Sequence, residues 1–338
     1  EWLERHLGNV IDLTIGDSYD INNYSNIDYV FWRPNTEESK PWEIKWMIEL
    51  CNNLPNCKHI NSPKYFLNYH GKDYTFNIWK SKNIPHPKYI SYESFDDFNR
   101  DIDFSTPMLV RVNNMCSGRG SFLVKTEDEL NKKAIELESI YNKQKEFLPT
   151  TNKMAVEFID ATTPENYNMS YRVIVSGNKI ITGYARLSQS SDWVAITGKF
   201  KKEMAEDFVK YQKRCAEICK KYKNEIINSV HTLGLDLQGV DIIEDKNGKI
   251  YILEVQPGFS CGYPEWGGPF YNPNYPELVN FLTKNKERLI KEIPFYYIGW
   301  LNKESLFDNI FFNLKVHMKN KKQRKKLYCD IDSTINNH

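Results

Sequence analysis

The stretch GVDIIEDKNGKIYILEVQPG, residues 239–258, admits few readings. Two apolar runs flank Asn247-Gly248, a pair that tolerates the positive φ angles of a tight hairpin turn. Pro257-Gly258 ends the second run. Side chains alternate faces along a strand, so Glu254 and Gln256 share one face while Leu253 and Val255 share the other. A turn centred on Asn247-Gly248 sets Lys246 across from Lys249 and, counted outward, Asp241 across from Glu254. A four-residue loop leaves the same residues on that face; an odd-length loop does not. Like charges directly across a ladder repel. A cation between Asp241 and Glu254 relieves that conflict, and the oxygen-only set Asp241, Glu254 and Gln256 favours Mg2+, which binds through one or two carboxylates together with substrate phosphates. A solvated face with scattered acids is the other reading of the same hairpin.

The rest of the chain alternates strand and helix signals. Residues 27–33 read as a short strand, 40–54 as a helix with Pro41 in its first turn and apolar residues Trp42, Trp46, Ile48 and Leu50 at helical spacing, and KHINSPKY as a second strand running into a turn. A helix from about Lys72 gives way to an extended Pro-rich segment, KNIPHPKYI. This alternation predicts an α/β unit in the first hundred residues. The middle reads as one antiparallel sheet with one helix. Its strands are PMLVRVN, FLVK, KMAVEFID, SYRVIVSGNKIITGYARLS and DWVAITG, and its helix opens with Thr126 and Glu129 as a capping box. Residues 201–233 read as a single long amphipathic helix with Phe208, Cys215, Ile218, Ile226 and Val230 near one stripe, and 276–293 as another helix.

At 338 residues the chain is long enough for two or three domains, and a net charge of +1 gives no global pull toward nucleic acid or a membrane surface. No apolar run reaches the length of a membrane-spanning helix. Seven cysteines, without a C-x-x-C pair, predict free thiols and a cytoplasmic location. The histidines show no metal spacing; His70 and His86 are expected at the surface or as caps.

The segment CSGRGS, 116–121, lies between two apolar strands. Such a loop exposes backbone N–H groups suited to phosphate oxygens, here Ser117, Gly118, Arg119, Gly120 and Ser121. Arg111 precedes it on the strand and Lys72 lies upstream. A phosphate cradle, two cations and a Mg2+ face together are what nucleotide phosphates require.

In this order the segments resemble the ATP-grasp superfamily over about residues 25–290. GKDYTFNIWKSKNIPHPKY resembles the family's lysine-bearing helix and its Pro-rich end; PMLVRVNNMCSGRGSFLV resembles the strands and flexible loop that close over the triphosphate. AVEFID is similar to the hinge that holds adenine, which implies backbone contacts from Glu157, Phe158 and Ile159. YRVIVSGNKIITGYARLS is similar to the strand pair that carries two arginines, Arg172 and Arg186. The hairpin 239–258 resembles the metal-binding core. Gln256 stands where the family usually has Asn, and Arg111 where it usually has Lys. The ribose-contacting acid is open between Asp160, Glu165 and neither.

The resemblance implies an α/β (α+β) fold with two α+β subdomains clamping ATP, preceded by an N-terminal α/β subdomain. The expected divisions are 1–65 for that subdomain and 66–295 for the ATP-grasp domain, with 106–200 carrying loop and hinge and 201–295 the metal core. The implied activity is a carboxylate–amine (or thiol) ligase that passes through an acyl phosphate, using ATP and Mg2+, with Mn2+ as the alternative. Arg186, with Arg172 second, is the expected catalytic cation. The substrates are a small-molecule or peptide carboxylate and an amine acceptor. A small-molecule kinase and a non-catalytic nucleotide-binding module are the alternatives. The aromatic, Gly- and Pro-rich segment 259–276 reads either as a substrate-selecting loop or as a packed turn region, and Trp193 likewise; Cys261 is expected to be a buried thiol.

Residues 296–326 read as a linker with a basic run, for which a solvated face is expected over nucleic-acid contact. Beyond it, LYCDIDSTI in 327–338 resembles the first motif of haloacid-dehalogenase-type phosphatases, with Asp330 as nucleophile, Asp332 as acid/base and Thr334 as the hydroxyl. The family's later motifs do not follow within the 338 residues. The expectation is a longer natural protein in which a phosphatase domain is fused after the ligase, with a chance match in a polar tail as the other reading.

Overall fold

The structure, a computed structural model, describes residues 28–32, 39–93, 106–115, 118–189, 201–256, 276–295, 310 and 313–314. Several sequence expectations lie outside these residues: the strand DWVAITG with Trp193, Ser117, the segment 259–275 with Cys261, the basic run, and Asp330, Asp332 and Thr334.

The first unit is β-α-β. Strands β1 (Tyr29–Phe31) and β2 (Lys58–Ile60) pair in parallel, as a crossover helix requires, with α1 (Pro41–Asn53) between them. Pro41 opens α1, where its missing N–H costs nothing. The buried face of α1 is Ile44, Met47, Leu50 and Cys51, whereas Trp42 is 52% exposed. The expected stripe through the tryptophans is therefore rotated: a helix buries whichever face meets the neighbouring element. Helix α2 (Lys72–Ser81) forms where expected and sinks Phe76 and Trp79 into the core.

The expected single sheet is two. Strands β3 (Tyr89–Tyr92), β4 (Met108–Val112), β5 (Ser121–Val124) and β6 (Lys153–Glu157) form one antiparallel sheet in the order β3-β6-β4-β5. Strands β7 (Tyr167–Ser176), β8 (Lys179–Gln189), β9 (Leu237–Glu244) and β10 (Ile250–Gln256) form another in the order β10-β9-β7-β8. The chain leaves the first sheet after Glu157 and turns through Asp160, whose carboxylate accepts the Thr162 N–H at 3.0 Å, and through Asn166 at φ 65°. Local hydrogen bonding of this kind competes with continued strand.

Helix α3 (Glu127–Phe147) packs on β4 and β5 over a small core that includes Val110, Val112, Val124, Leu130 and Leu137. Thr126 caps it, its hydroxyl accepting the Glu129 N–H at 3.2 Å, while Glu129 reaches back to the Lys125 N–H at 2.7 Å, one residue beyond the expected capping box. The expected helix over 201–233 breaks at Tyr222, which leaves helical geometry with φ −111° and ψ 29°. That break separates α4 (Ala205–Lys221), lying on β8, from α5 (Lys223–His231), lying on β7, β8, β9 and β10. A straight helix of that length would overrun the sheet; the break keeps Ile226 and Val230 in the core beside Phe208, Cys215 and Ile218. The expected helix over 276–293 likewise breaks at Asn285 into α6 (Pro276–Lys284) and α7 (Lys286–Glu292).

Among the described residues, no helix is long and apolar enough to cross a membrane, and Cys51, Cys57, Cys215 and Cys219 are free thiols. Of the two histidines expected at the surface or as caps, His70 is buried, stacked on Phe66 with its Nδ1 3.0 Å from the Leu67 carbonyl at the end of a turn, and His86 is half-buried, stacked on Phe76.

Candidate functional site

The hairpin β9–β10 pairs Asp241 with Glu254, as counting from Asn247-Gly248 predicts, but by another route. The turn is an odd-length loop: the Asp245 N–H donates to the Lys249 carbonyl, and the Asp245 carboxylate accepts the Asn247 and Lys249 N–H groups, each at 2.9 Å. Glu244 therefore pairs with Ile250, one residue out of the expected register. A bulge between Ile252 and Glu254 then restores it, Leu253 being the extra residue. Turn and bulge cancel, so Asp241, Glu254 and Gln256 do share a face.

A polar row crosses this sheet. Tyr184 on β8, Arg172 on β7, Asp241 on β9 and Glu254 on β10 are successive cross-strand partners. The Arg172 guanidinium donates in a fork to Asp241, Nε to Oδ1 at 2.6 Å and a terminal nitrogen to Oδ2 at 2.7 Å. Arg186, two positions along β8 from Tyr184, lies 3.1 Å from Asp241 Oδ2 and donates its Nε to the Ser170 hydroxyl at 3.0 Å. Lys72, at the start of α2, lies 2.6 Å from Glu254, and the Gln256 amide donates to that same carboxylate.

The electrostatics follow. Burial pushes the Asp241 carboxyl up, but Arg172 and Arg186 outweigh it and hold it well below the usual carboxylate range. Burial likewise raises Glu254; Lys72 overrides that, against Asp241, and Arg111 adds to its effect, so the net direction is down. The repulsion that sequence reasoning assigned to an intervening metal is thus already relieved by the protein's own cations.

The glycine loop joins from the other sheet. Arg111, next to last in β4, pairs with Ser121 on β5, and Val112 donates its N–H to the Gly120 carbonyl at 3.0 Å. Arg111 donates to the Met115 carbonyl at 2.6 Å and Lys72 to the same oxygen at 3.2 Å. That carbonyl at the loop's base had no signal in the sequence, since any residue supplies one. Gly118 and Gly120 have φ of 75° and 58°, and a Cβ on Gly120 would stand 2.6 Å from the Met115 sulfur. The glycines are therefore required by backbone conformation. Exposed Arg119 lies in the loop, whereas Ser121 belongs to the strand, buried, its hydroxyl on the Arg119 carbonyl at 3.4 Å.

The hinge segment borders the same sheet. Two of its N–H groups are used internally, Glu157 to the Lys88 carbonyl at 2.9 Å and Phe158 to the Pro107 carbonyl at 3.0 Å. Of the two open ribose candidates, Asp160 reaches Lys246 at the hairpin turn, at 2.6 Å, and Glu165 is held by Lys210 and Tyr211 on α4.

Lys72, Arg111, Arg172, Arg186, Asp241, Glu254 and Gln256 are thus gathered from α2, β4 and the four strands of the second sheet, with the glycine loop beside them. Ser170, which orients Arg186, was missed by the sequence reading; its position two before Arg172 on the same strand face was the available signal.

Residues 76–260 match the family described as the RimK-like ATP-grasp domain. No curated protein matches the chain. Among solved structures, the chain is similar to an L-amino acid ligase from Bacillus licheniformis, at 19% identity and a TM-score of 0.47 over 68% of this chain and 50% of that one. It is similar also to the ATP-grasp ligase PsnB, solved with precursor peptide PsnA2 and AMPPNP, at 12% identity and a TM-score of 0.43 over 72% and 69%. A third is N5-carboxyaminoimidazole synthetase from Staphylococcus aureus, solved with ADP, at 15% identity and a TM-score of 0.44 over 69% and 57%.

Proposed function

The chain belongs to the RimK-like ATP-grasp family, and from that premise we propose that it is an ATP-dependent ligase joining a carboxylate to an amine through an acyl phosphate, with ADP and phosphate released. The observation that carries the reading is the gathering of four cations, Lys72, Arg111, Arg172 and Arg186, about the two carboxylates Asp241 and Glu254. Cations brought to one place from α2, β4, β7 and β8 suit a polyphosphate.

The donor set fits Mg2+. The Gln256 amide nitrogen is committed to Glu254, which leaves the amide oxygen as its acceptor end. Among the described residues no group of three His, Cys, Asp or Glu forms a cage; two carboxylates and an amide oxygen, completed by substrate phosphates, are the usual Mg2+ arrangement. A bound Mg2+, held by Asp241, Glu254 and the Gln256 amide oxygen, would supply charge neutralisation for the substrate phosphates.

The chain's own residues do the rest. Lys72 and Arg111, already sharing the Met115 carbonyl, hold phosphate oxygens. Arg172 is fixed on Asp241 in a buried fork and keeps that carboxylate ionised and aimed. Arg186 makes a single contact with Asp241 and its side chain is 18% exposed against 10% for Arg172, so it is the cation able to follow the transferring phosphoryl group. The loop over 116–121 covers the phosphates and excludes water, which an acyl phosphate requires. Glu157 to Ile159 border the adenine.

The test is ADP release from Mg2+-ATP over a panel of amino acids, peptides and other carboxylates, with hydroxylamine as trapping nucleophile. Hydroxamate formed with ADP, and reduced at least about hundredfold in Glu254→Gln while the fold persists, is the expected result. A stable phosphorylated product without hydroxamate would replace the ligase with a kinase, and nucleotide bound without turnover or Mg2+ dependence would make this a non-catalytic module.

A further inference from the structure

We propose that Asp73 is a positioning residue of the nucleotide site: its buried carboxylate locks the stem of the glycine loop to the helix start that carries Lys72. The inference rests on the nucleotide reading above.

Asp73 lies in the first turn of α2 and is 3% exposed. A carboxylate so buried ordinarily has a cationic partner. Among the described residues Asp73 has none. Its partners are neutral: the Asn113 amide donates to Oδ1 at 2.6 Å, the Asn152 amide to Oδ2 at 2.9 Å, and the Ser91 hydroxyl to Oδ2 at 3.4 Å. The reading of the site uses none of these groups.

Asn113 is the centre of the arrangement. It is fully buried and sits between the end of β4 and the glycine loop. Every polar group it has is used. Its carbonyl accepts the Lys72 N–H at 3.0 Å, its N–H donates to the Asn152 carbonyl at 3.0 Å, and its side-chain oxygen accepts the Asn152 N–H at 3.1 Å. The fourth bond is the one to Asp73. Two residues further on, the Met115 carbonyl takes Lys72 from one side and Arg111 from the other. One hydrogen-bonded frame therefore fixes the Lys72 backbone, the first residue after β4, and the carbonyl on which two phosphate-facing cations rest. Holding such groups in place before the ligand arrives is how a site avoids reorganising at the moment of binding.

Gly71 is independent testimony to how tightly the frame is drawn. Its φ of −130° is open to any residue. A Cβ there would stand 2.5 Å from the Asn113 amide nitrogen and 2.9 Å from Asp73 Oδ1. The position is glycine because the Asp73–Asn113 bond occupies the space.

The test exchanges the two side chains. Asp73→Asn sets two amide donors against an amide, and Asn113→Asp sets two carboxylates together. In the double variant the same bonds re-form with the charge moved from position 73 to position 113. Binding of a fluorescent ATP analogue with Mg2+ is measured for the whole chain, alongside thermal midpoints. Each single variant is expected to weaken binding about tenfold, the size of a lost hydrogen bond to a charged group, and the double variant to recover to within about threefold. Leu289→Ala, a buried change on α7, controls for stability; it is expected to lower the midpoint and leave affinity unchanged. Wild-type affinity in Asp73→Asn, failure of the double variant to recover, or equal weakening by Leu289→Ala would each overturn the role of Asp73 while leaving the nucleotide reading standing. A wild-type chain that does not bind the analogue would overturn both.

Discussion

The two sheets contribute to the site in different currencies. The sheet β10-β9-β7-β8 offers charged side chains from all four strands, and each is compensated by another across the ladder or from α2. The sheet β3-β6-β4-β5 offers mainly backbone: the loop between β4 and β5 and the hinge after β6, with Arg111 on the strand that leads into the loop. Their cores differ too. The sheet β10-β9-β7-β8 shares one large cluster with α1, α2, α4 and α5; the sheet β3-β6-β4-β5 gives Met154 and Val156 to that cluster and has besides, under α3, a small core of its own. A region that works through charges must have its geometry fixed by partners, because each buried charge is costly alone. A region that works through backbone N–H groups needs only a conformation, which glycine and a firm stem supply.

The comparison breaks most visibly at Asp241. Asp241→Ala strands Arg172 and Arg186, and stability measured by denaturant should fall by about 3–5 kcal/mol, with turnover lost. The same chemistry at a surface position costs far less, so a small loss there would show that the row is not a buried network. The second region breaks through its core. Leu137→Ala, fully buried under α3, should cost about 2–5 kcal/mol; if the small core depends on the large one, near-ultraviolet signals of both regions fade together. Gly120→Ala tests the backbone claim directly. At φ +58° a Cβ should cost about 1–2 kcal/mol and weaken nucleotide binding by about 5- to 30-fold, whereas unchanged affinity would show that the loop's conformation is not what binds.

The smallest effect sharpens the role of burial. Glu165 is paired with Lys210 and Tyr211 at a partly exposed site, and those two partners bring its carboxyl down to about 2. A carboxylate depressed in the folded state stabilises fully above its unfolded value of about 4.3 and loses that contribution as pH falls through about 2. Solvent screening discounts it, so Glu165→Gln should cost less than about 1 kcal/mol at pH 7, read as the difference between wild-type and variant unfolding curves from pH 7 to 2.

Much of the first region was legible in the sequence. Alternation put Asp241, Glu254 and Gln256 on one face, and the family resemblance named Arg172 and Arg186. The turn itself was misread. Asn247-Gly248 looks like a two-residue hairpin, yet Asp245 captures the loop and Leu253 bulges to compensate. The two local deviations cancel because the buried row tolerates only one register. The second region was legible only in outline. Glycines announced a loop, but neither the Met115 carbonyl nor the Asp73–Asn113–Asn152 frame could be read: any residue supplies a carbonyl, the frame's partners lie 39 to 79 positions apart, and asparagines carry no periodic signal.

What the sequence determined by itself is what short-range rules control: which segments are strands or helices, where the glycine loop lies, and which acids share a strand face. What only the tertiary structure decided is where long elements stop and what each charge meets. The helix over 201–233 breaks at Tyr222, which lays its second half back on the four strands it covers, and the helix over 276–293 breaks at Asn285. The sheet divides after Glu157 because a turn's own hydrogen bonds outcompete the ladder. Lys72 lies against Glu254, 182 positions along the chain, because packing brings α2 to the edge of β10, and no local pattern encodes a distance of that kind.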